Sequence, residues 1–351
     1  MKPLLKRLAK FLNQHRVWPD ANEKTLSQLI KLELGHADIL SKPCRINKQV
    51  KLRAHAPKTV LLICAGNLSV AVWQIFTRLT LLNVKTVYLK PPTSPYQQEI
   101  KKIAQLFLKN RFVQHLHFIQ TISDATIQKA DAVIVYGNDS TLETFRKRVI
   151  GEKKKKRFLG YGHKLSCGII FSQDINPSTA QKVVTDFLTY NQEGCLSPHL
   201  FYVLGNVDQL ACLLSQAIKK SFKKLSLPPL TSQQKAQIYL ARQEALLHKN
   251  KVFTPTDDLN ITLIVEKNST FKTSCLHRVL HLKPARNLAH VTKLLAPIRP
   301  HLSTVSMSRV KPFDCGAARF CPIGQMQFPS LFWKQDGFGT LSELVTWETI
   351  E

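Results

Sequence analysis

Short apolar runs alternate with stretches of helical period from Thr59 onward. Thr59 to Cys64 is β-rich and almost wholly apolar, as a strand covered on both faces must be. Ser69 to Leu82 has helical period, and Lys85 to Leu89 reads as a second strand stopped by Lys90-Pro91-Pro92. Pro95 to Leu108 is predicted helical, His115 to Ile119 a third strand, Ala132 to Tyr136 a fourth and Ser140 to Ile150 a helix. Phe158 to Tyr161 and Gly168 to Phe171 are strand-like. This βαβ rhythm predicts an α/β fold with a doubly wound, mostly parallel sheet. Ligands of such sheets sit at the carboxyl ends of the strands. Here those ends are Ala65-Gly66-Asn67, Lys90-Pro91, Gly137-Asn138-Asp139 and Gly160 to Lys164.

A second α/β unit follows. Pro177 to Tyr190 is a helix that leads into the polar turn Asn191-Gln192-Glu193-Gly194-Cys195-Leu196-Ser197-Pro198, and Leu200 to Leu204 is a strand. Asp208 to Lys220 and Gln233 to His248 read as helices, separated by a loop over Lys224 to Leu230. Asn260 to Glu266, His277 to Leu282 and Thr304 to Met307 read as strands, with a helix over Ala285 to Ala296. The tail from Pro312 is rich in Gly, Pro and aromatics and is expected to wrap over other elements. At the other end, Met1 to Trp18 is basic and amphipathic, with Leu4, Leu5, Leu8 and Leu12 at helical spacing. It lacks the apolar core and small-residue cleavage site of a secretory signal, so a surface helix packed on the body is expected.

A chain of 351 residues with 44% hydrophobic residues suggests two domains with well-filled cores. No apolar run reaches the length of a membrane span. The net charge of +27 favours polyanions or phosphate-bearing ligands. Its one dense block, Lys153 to Arg157, reads as a solvated loop. With no zinc-finger spacing, helix-turn-helix or basic–aromatic interleaving, charge alone does not point to nucleic acid. The eight cysteines form no C-x-x-C pair, so no metal site is expected. Reduced thiols and a cytoplasmic location are expected.

Cys195 is the cysteine whose surroundings suit chemistry. It stands in a polar turn between two elements, and Gly194 allows close backbone approach. Glu193 has the wrong sign to favour a thiolate. Asn67, at the end of the first strand, either donates to a developing oxyanion or caps the helix that follows. Lys90 ends the second strand and suits a ribose hydroxyl or a 2′-phosphate; Thr93, not an acid, stands nearby. Gly137, Asn138 and Ser140 open a helix and either cap it or offer amides to a pyrophosphate. The G-x-G-x-x-G fingerprint is absent.

Ala65-Gly66-Asn67, Val87 to Pro91, Tyr161 to Ser166 and Asn191 to Pro198 occur in the order used by the aldehyde dehydrogenase superfamily. With Ile323 to Gln327, Trp333, Asp336-Gly337 and Leu341 to Trp347, the chain resembles the LuxC-type acyl-CoA reductases most closely, from about Thr59 to the end. The resemblance implies an aldehyde dehydrogenase-like fold: a nucleotide-binding domain over 1–175, a catalytic domain over 176–322, and a tail over 323–351 that packs back on the body. Only 66 residues precede Asn67, fewer than in relatives, so the expectation is either a nucleotide domain shortened at its start or a missing oligomerisation arm. The resemblance further implies Cys195 as acyl acceptor, Asn67 as oxyanion donor, Lys90 at the adenosine ribose and NADPH as cofactor, bound without the glycine fingerprint.

Aldehyde-oxidising relatives carry a glutamate base before the nucleophile. The matching stretch here is Gly160-Tyr161-Gly162-His163, without a carboxylate. Loss of that base suits an enzyme that reduces its acyl group rather than hydrolysing it, and His163 is a candidate proton shuttle. The expected function is therefore NADPH-dependent reduction of a long-chain fatty acyl-CoA, or an acyl-protein thioester, to a fatty aldehyde. An acyl-protein synthetase partner and a homo-oligomer are compatible with this. The alternative is a basic scaffold protein that keeps the fold with weak or lost activity.

Overall fold

Along the strand β3 (Thr59–Ile63), side chains leave alternately to the two faces of a sheet. In the computed structural model Val60 and Leu62 enter one hydrophobic cluster while Leu61 and Ile63 enter another. That is why β3 shows no polar position after Thr59. The structure describes all residues except 65–69, 95, 152–155, 223–226 and 257. It divides into two units, Met1–His163 with Ser330–Glu351, and Lys164–Pro329.

The first unit begins with helices α1 (Lys2–Gln14) and α2 (Glu23–Leu34) and the short strands β1 (Cys44–Arg45) and β2 (Lys51–His55). After β3 come α3 (Val70–Leu81), β4 (Thr86–Lys90), α4 (Gln97–Lys109), β5 (His115–Phe118), α5 (Asp124–Lys129), β6 (Ala132–Tyr136), α6 (Asp139–Ile150) and β7 (Arg157–Tyr161). The sheet order β5-β4-β3-β6-β7 is parallel throughout, with α3 and α4 feeding one cluster and α5 and α6 the other. This is the doubly wound sheet that the periodicity predicts. The apolar stripe of α1, with Leu5, Leu8, Phe11 and Leu12 all buried, is consumed by packing on this unit.

The second unit contains β8 (Leu165–Phe171), α7 (Pro177–Leu188), β9 (Pro198–Leu204), α8 (Val207–Phe222), α9 (Ser232–Leu247), β10 (Lys251–Phe253), β11 (Thr262–Val265), β12 (Val279–Pro284), α10 (Leu288–Leu295), β13 (Leu302–Met307) and β14 (Arg319–Pro322). Its sheet order is β10-β11-β12-β9-β8-β13-β14, with only β10 antiparallel. The strand β8, which the alternation places with the first sheet, pairs instead with β9 and β13. The expected boundary at 175/176 thus stands apart from the division of the units at His163. Gly168 on β8 is needed for a steric reason: a Cβ there would come within 1.9 Å of the Phe201 ring on β9.

The chain returns to the first unit at Ser330. There α11 (Thr340–Leu344) and β15 (Thr346–Ile350) complete it, and β15 pairs antiparallel with β2. Arg78 on α3, 1% exposed, donates to the Leu331 and Trp333 carbonyls and so fastens this segment. Burial lowers Arg78 from its ordinary value, with Glu33 opposing. Of the basic block, Lys156 and Arg157 are described, and they are not idle: Lys156 donates to Gln128 and Ala130 carbonyls and Arg157 to that of Glu343. Lys153 to Lys155 lie outside the described residues.

Candidate active site

Burial sorts the cysteines. Cys44, Cys64, Cys167, Cys315 and Cys321 are buried and Cys275 is half-buried, whereas Cys195 and Cys212 are exposed. Burial pushes Cys64 and Cys321 up to about 12 and raises Cys44, Cys167, Cys275 and Cys315. None of these six is poised to become a thiolate. Cys212 lies within helix α8, and Cys195 in the turn before β9.

That turn is held on several sides. α7 begins at Asn176, whose side chain caps the Thr179 amide, and buries Ala180, Val183, Val184 and Phe187. Beyond it Tyr190, Asn191 and Gln192 all take left-handed backbone angles, φ 55°, 55° and 64°. Such a run in non-glycine residues is strained and persists only where its surroundings hold it. The buried Gln192 amide supplies part of that hold, donating to the carbonyls of Pro198 at 2.9 Å and Val279 at 2.8 Å. Next, the Ser197 amide donates to the Gly194 carbonyl at 2.9 Å, and the Gly194 amide to Ser197 Oγ at 3.2 Å. Cys195 is at the corner. Its carbonyl accepts from Ser166 Oγ on β8 at 2.7 Å, and Ser166 Oγ accepts in turn from the Thr304 amide on β13. The backbone of the turn is pinned, and Cys195 as a residue is exposed.

A second layer lies beneath. Gln327 Nε2 donates to Ser197 Oγ at 2.9 Å and to the Asp186 carbonyl at 3.3 Å. The Asp186 carboxylate, on the buried side of α7, accepts from the amides of Gly324 at 2.7 Å and Met326 at 2.8 Å. Gly324 has φ +89°, which a side chain would strain. Burial pushes Asp186 up to about 7, against the amides of Gly324 and Met326 and the charge of Arg319. Glu193, the wrong charge beside a thiolate, is answered by two groups on the segment before β12. Burial lowers His277 and Arg278, and the Glu193 charge opposes this in both.

The candidates at the carboxyl edge of the first sheet belong to the other unit. Lys90 ends β4, its backbone carbonyl accepting from the Cys64 amide at 3.0 Å, and Thr93 is exposed three residues on. Asn138 Oδ1 caps α6 through the Thr141 amide at 2.8 Å and also accepts from Ser140 Oγ at 2.9 Å. The Gly137 amide donates to the Tyr161 carbonyl at 3.1 Å, and its missing side chain makes room for Thr141. His163 is exposed just past β7. Asn67 lies outside the described residues. Among the described residues no three His, Cys, Asp or Glu converge as a metal site would need, and no helix is long and apolar enough to cross a membrane.

The profile of the acyl-CoA reductase (LuxC) family matches residues 3–347. The chain belongs to the LuxC acyl-CoA reductase family. A comparison with curated proteins returned no match. Solved structures share the fold at low identity. A candidate methylmalonate-semialdehyde dehydrogenase from Sinorhizobium meliloti 1021, complexed with NAD, superposes with TM-score 0.66 at 12% identity over 99% of this chain and 84% of that one. An NAD-dependent benzaldehyde dehydrogenase from Corynebacterium glutamicum gives 0.63 at 13%, over 99% and 84%. Proline utilization A from Bdellovibrio bacteriovorus, inactivated by N-propargylglycine, gives 0.67 at 15%, over 99% of this chain and 43% of that one. The LuxC chain thus has the aldehyde dehydrogenase fold.

Two groups of residues escape sequence reading. Ser166, Asp186 and Gln327 brace the Cys195 turn from positions far away in the chain. A second polar cluster lies at the carboxyl ends of β11 and β12. Glu266 bridges His281 Nδ1 and Lys283 Nζ, each at 2.6 Å, and Lys283 also donates to Asn268 Oδ1 at 2.9 Å. These groups line a cavity of about 460 Å³. The only signal was the two-residue spacing of His281 and Lys283 in an otherwise apolar strand.

Proposed function

We propose that this chain is an NADPH-dependent long-chain acyl-CoA reductase that forms a fatty aldehyde through a Cys195 acyl-enzyme. The observation that carries the proposal is Cys195 itself: an exposed thiol on a backbone pinned by Ser166 and Ser197, in a chain of the LuxC family. In this reading the Cys195 thiolate attacks the thioester carbonyl. A new carbon–sulfur bond forms, the bond to CoA sulfur breaks, and CoA leaves with the electron pair. The Cys195 amide and the Asn67 side chain donate to the oxyanion; one such donor is worth roughly 3–4 kcal/mol. Cys195 then holds the acyl carbon until reduction and departs as thiolate when the aldehyde is released.

The carboxyl edge of the five-stranded sheet has the donors a dinucleotide needs: Lys90, the exposed Thr93 hydroxyl, and the amino end of α6. When bound, reduced NADPH supplies the hydride. Lys90 and Thr93 would hold the adenosine ribose, and Gly137, Asn138 and Ser140 the region of the pyrophosphate. The stretch Gly160 to His163 supports the reductive direction, because it contains no carboxylate to activate water, and its Tyr161 hydroxyl is engaged with Thr340 at 2.9 Å. His163 is assigned the proton transfers that accompany thiol exchange.

The test is consumption of NADPH, followed at 340 nm, with long-chain acyl-CoA. The native protein is expected to turn over and Cys195→Ala to lose about 10³-fold or more. Turnover by the alanine variant at the native rate would refute the assignment.

A further inference from the structure

Far from the carboxyl edge, the amino edge of the first sheet gathers cations. Lys58 immediately precedes β3 and Lys85 immediately precedes β4. The two strands are paired Thr59 to Thr86, and the Lys85 amide donates to the Lys58 carbonyl at 2.9 Å. The lysines are therefore lateral neighbours, one strand spacing of about 4.8 Å apart in backbone. Arg111, in the turn between α4 and β5, and Arg7, on α1, complete the group. All four line one cavity of about 590 Å³, together with the buried side chains of Pro57 and Leu82.

Like charges in adjacent strand positions repel. None of the described lining residues is acidic. Arg7 donates to the Asn110 carbonyl and Lys85 to Asn83 Oδ1, both neutral acceptors. Asp131, the acid at the start of β6, turns Oδ2 to the backbone amides of Lys58 and Thr59 at 3.0 Å each. Among the described residues none of the four cations forms an ion pair. A cavity of this size, ringed by unpaired cations and partly walled by apolar side chains, matches an anion with an apolar body.

We propose that this cavity binds a phosphate monoester carried on an apolar chain, with Arg7, Lys58, Lys85 and Arg111 on the phosphate and Pro57 and Leu82 against the chain. It lies at the opposite end of the strands from Lys90 and Gly137, and it does not rest on the reductase reading.

The probe is decyl phosphate below its micellar concentration, titrated calorimetrically at low salt. The full chain is expected to bind one equivalent, at least roughly tenfold tighter than it binds inorganic phosphate or decanol. Lys58→Gln/Arg111→Gln is expected to weaken binding by roughly tenfold or more, because charge-assisted bonds are lost. Lys129→Gln/Lys219→Gln, which removes the same charge elsewhere on the exposed surface, should bind like the native protein, and so should Cys195→Ala. A lipid headgroup and a soluble phosphate ester share this chemistry. Co-sedimentation with phosphatidate vesicles that is lost in Lys58→Gln/Arg111→Gln assigns the lipid source, and binding of monomeric decyl phosphate alone assigns the soluble one. Equal affinity of Lys58→Gln/Arg111→Gln and native protein, equal weakening in both charge variants, or decyl phosphate binding no tighter than decanol or inorganic phosphate would overturn the proposal.

Discussion

Asp186 and Glu266 are both buried carboxylates of the second unit, and their surroundings drive them in opposite directions. Asp186, under the Cys195 turn, meets backbone amides but no ion pair among the described residues, and burial pushes it up to about 7. Glu266, just past the end of β11, is also buried, yet bonds from His281 and Lys283 outweigh burial and hold it down at about 2. Two amide donors and the charge of Arg319 without an ion pair do not offset desolvation at Asp186, whereas direct bonds from His281 and Lys283 do so at Glu266. The lesson is that the cluster around Glu266 is a fixed ionic element, while the brace beneath Cys195 changes charge near neutral pH.

The largest effect should come from breaking the ionic element. Lys283→Met leaves Glu266 buried without its closest cation, and removing one partner of a buried pair costs about 3–5 kcal/mol. Urea unfolding should show a loss of that size, and a variant as stable as the native protein would show that the pair is unimportant. Lys283→Met together with Glu266→Gln should recover part of the loss.

A somewhat smaller and opposite test concerns Asp186. Its folded value lies above the unfolded one, so the folded state binds the extra proton between about pH 4 and pH 7. The contribution to stability is full below pH 4 and is lost as pH rises through about 7, a swing of about 2–4 kcal/mol. Asp186→Asn should flatten that part of the stability profile, and an unchanged slope would contradict the assignment. Glu266 works the other way: its contribution is present above about pH 4.5 and disappears as pH falls through about 2.

The smallest expected effect sharpens the link to chemistry. Gln327→Ala removes the donor to Ser197 Oγ without touching Cys195. The rate of Cys195 alkylation by iodoacetamide should change about two- to fivefold, with stability lowered by about 1–3 kcal/mol because two buried acceptors lose a donor. An identical alkylation rate would mean that this brace does not govern the thiol.

How much of this could be read from residues alone depends on where the partners lie. β3, β6 and β9 are legible because a strand covered on both faces leaves a nearly continuous apolar run, broken only by Thr59 in β3 and His199 in β9. Cys195 is legible because it follows Gly194 in a polar turn that joins a helix to a strand. The assignment of β8 to the first sheet fails because period reveals a strand but not its neighbour. Asp186 reads as one polar position in an amphipathic helix; its amide donors stand 138 and 140 residues away. Likewise Lys283 looks like a surface lysine until Glu266 is brought beside it across β11 and β12. Caps such as Asn138 were half legible: the residue type suggested either a helix cap or a ligand, and the geometry gives the cap.

The proposed chemistry places an acyl group on one sulfur. The most direct measurement is peptide mapping by mass spectrometry after brief exposure of the native protein to long-chain acyl-CoA without reductant. A thioester adduct is expected on the peptide containing Cys195, absent in Cys195→Ala and discharged as aldehyde when NADPH is added. An adduct on Cys212 or another residue, or none on native protein that still forms aldehyde, would contradict it.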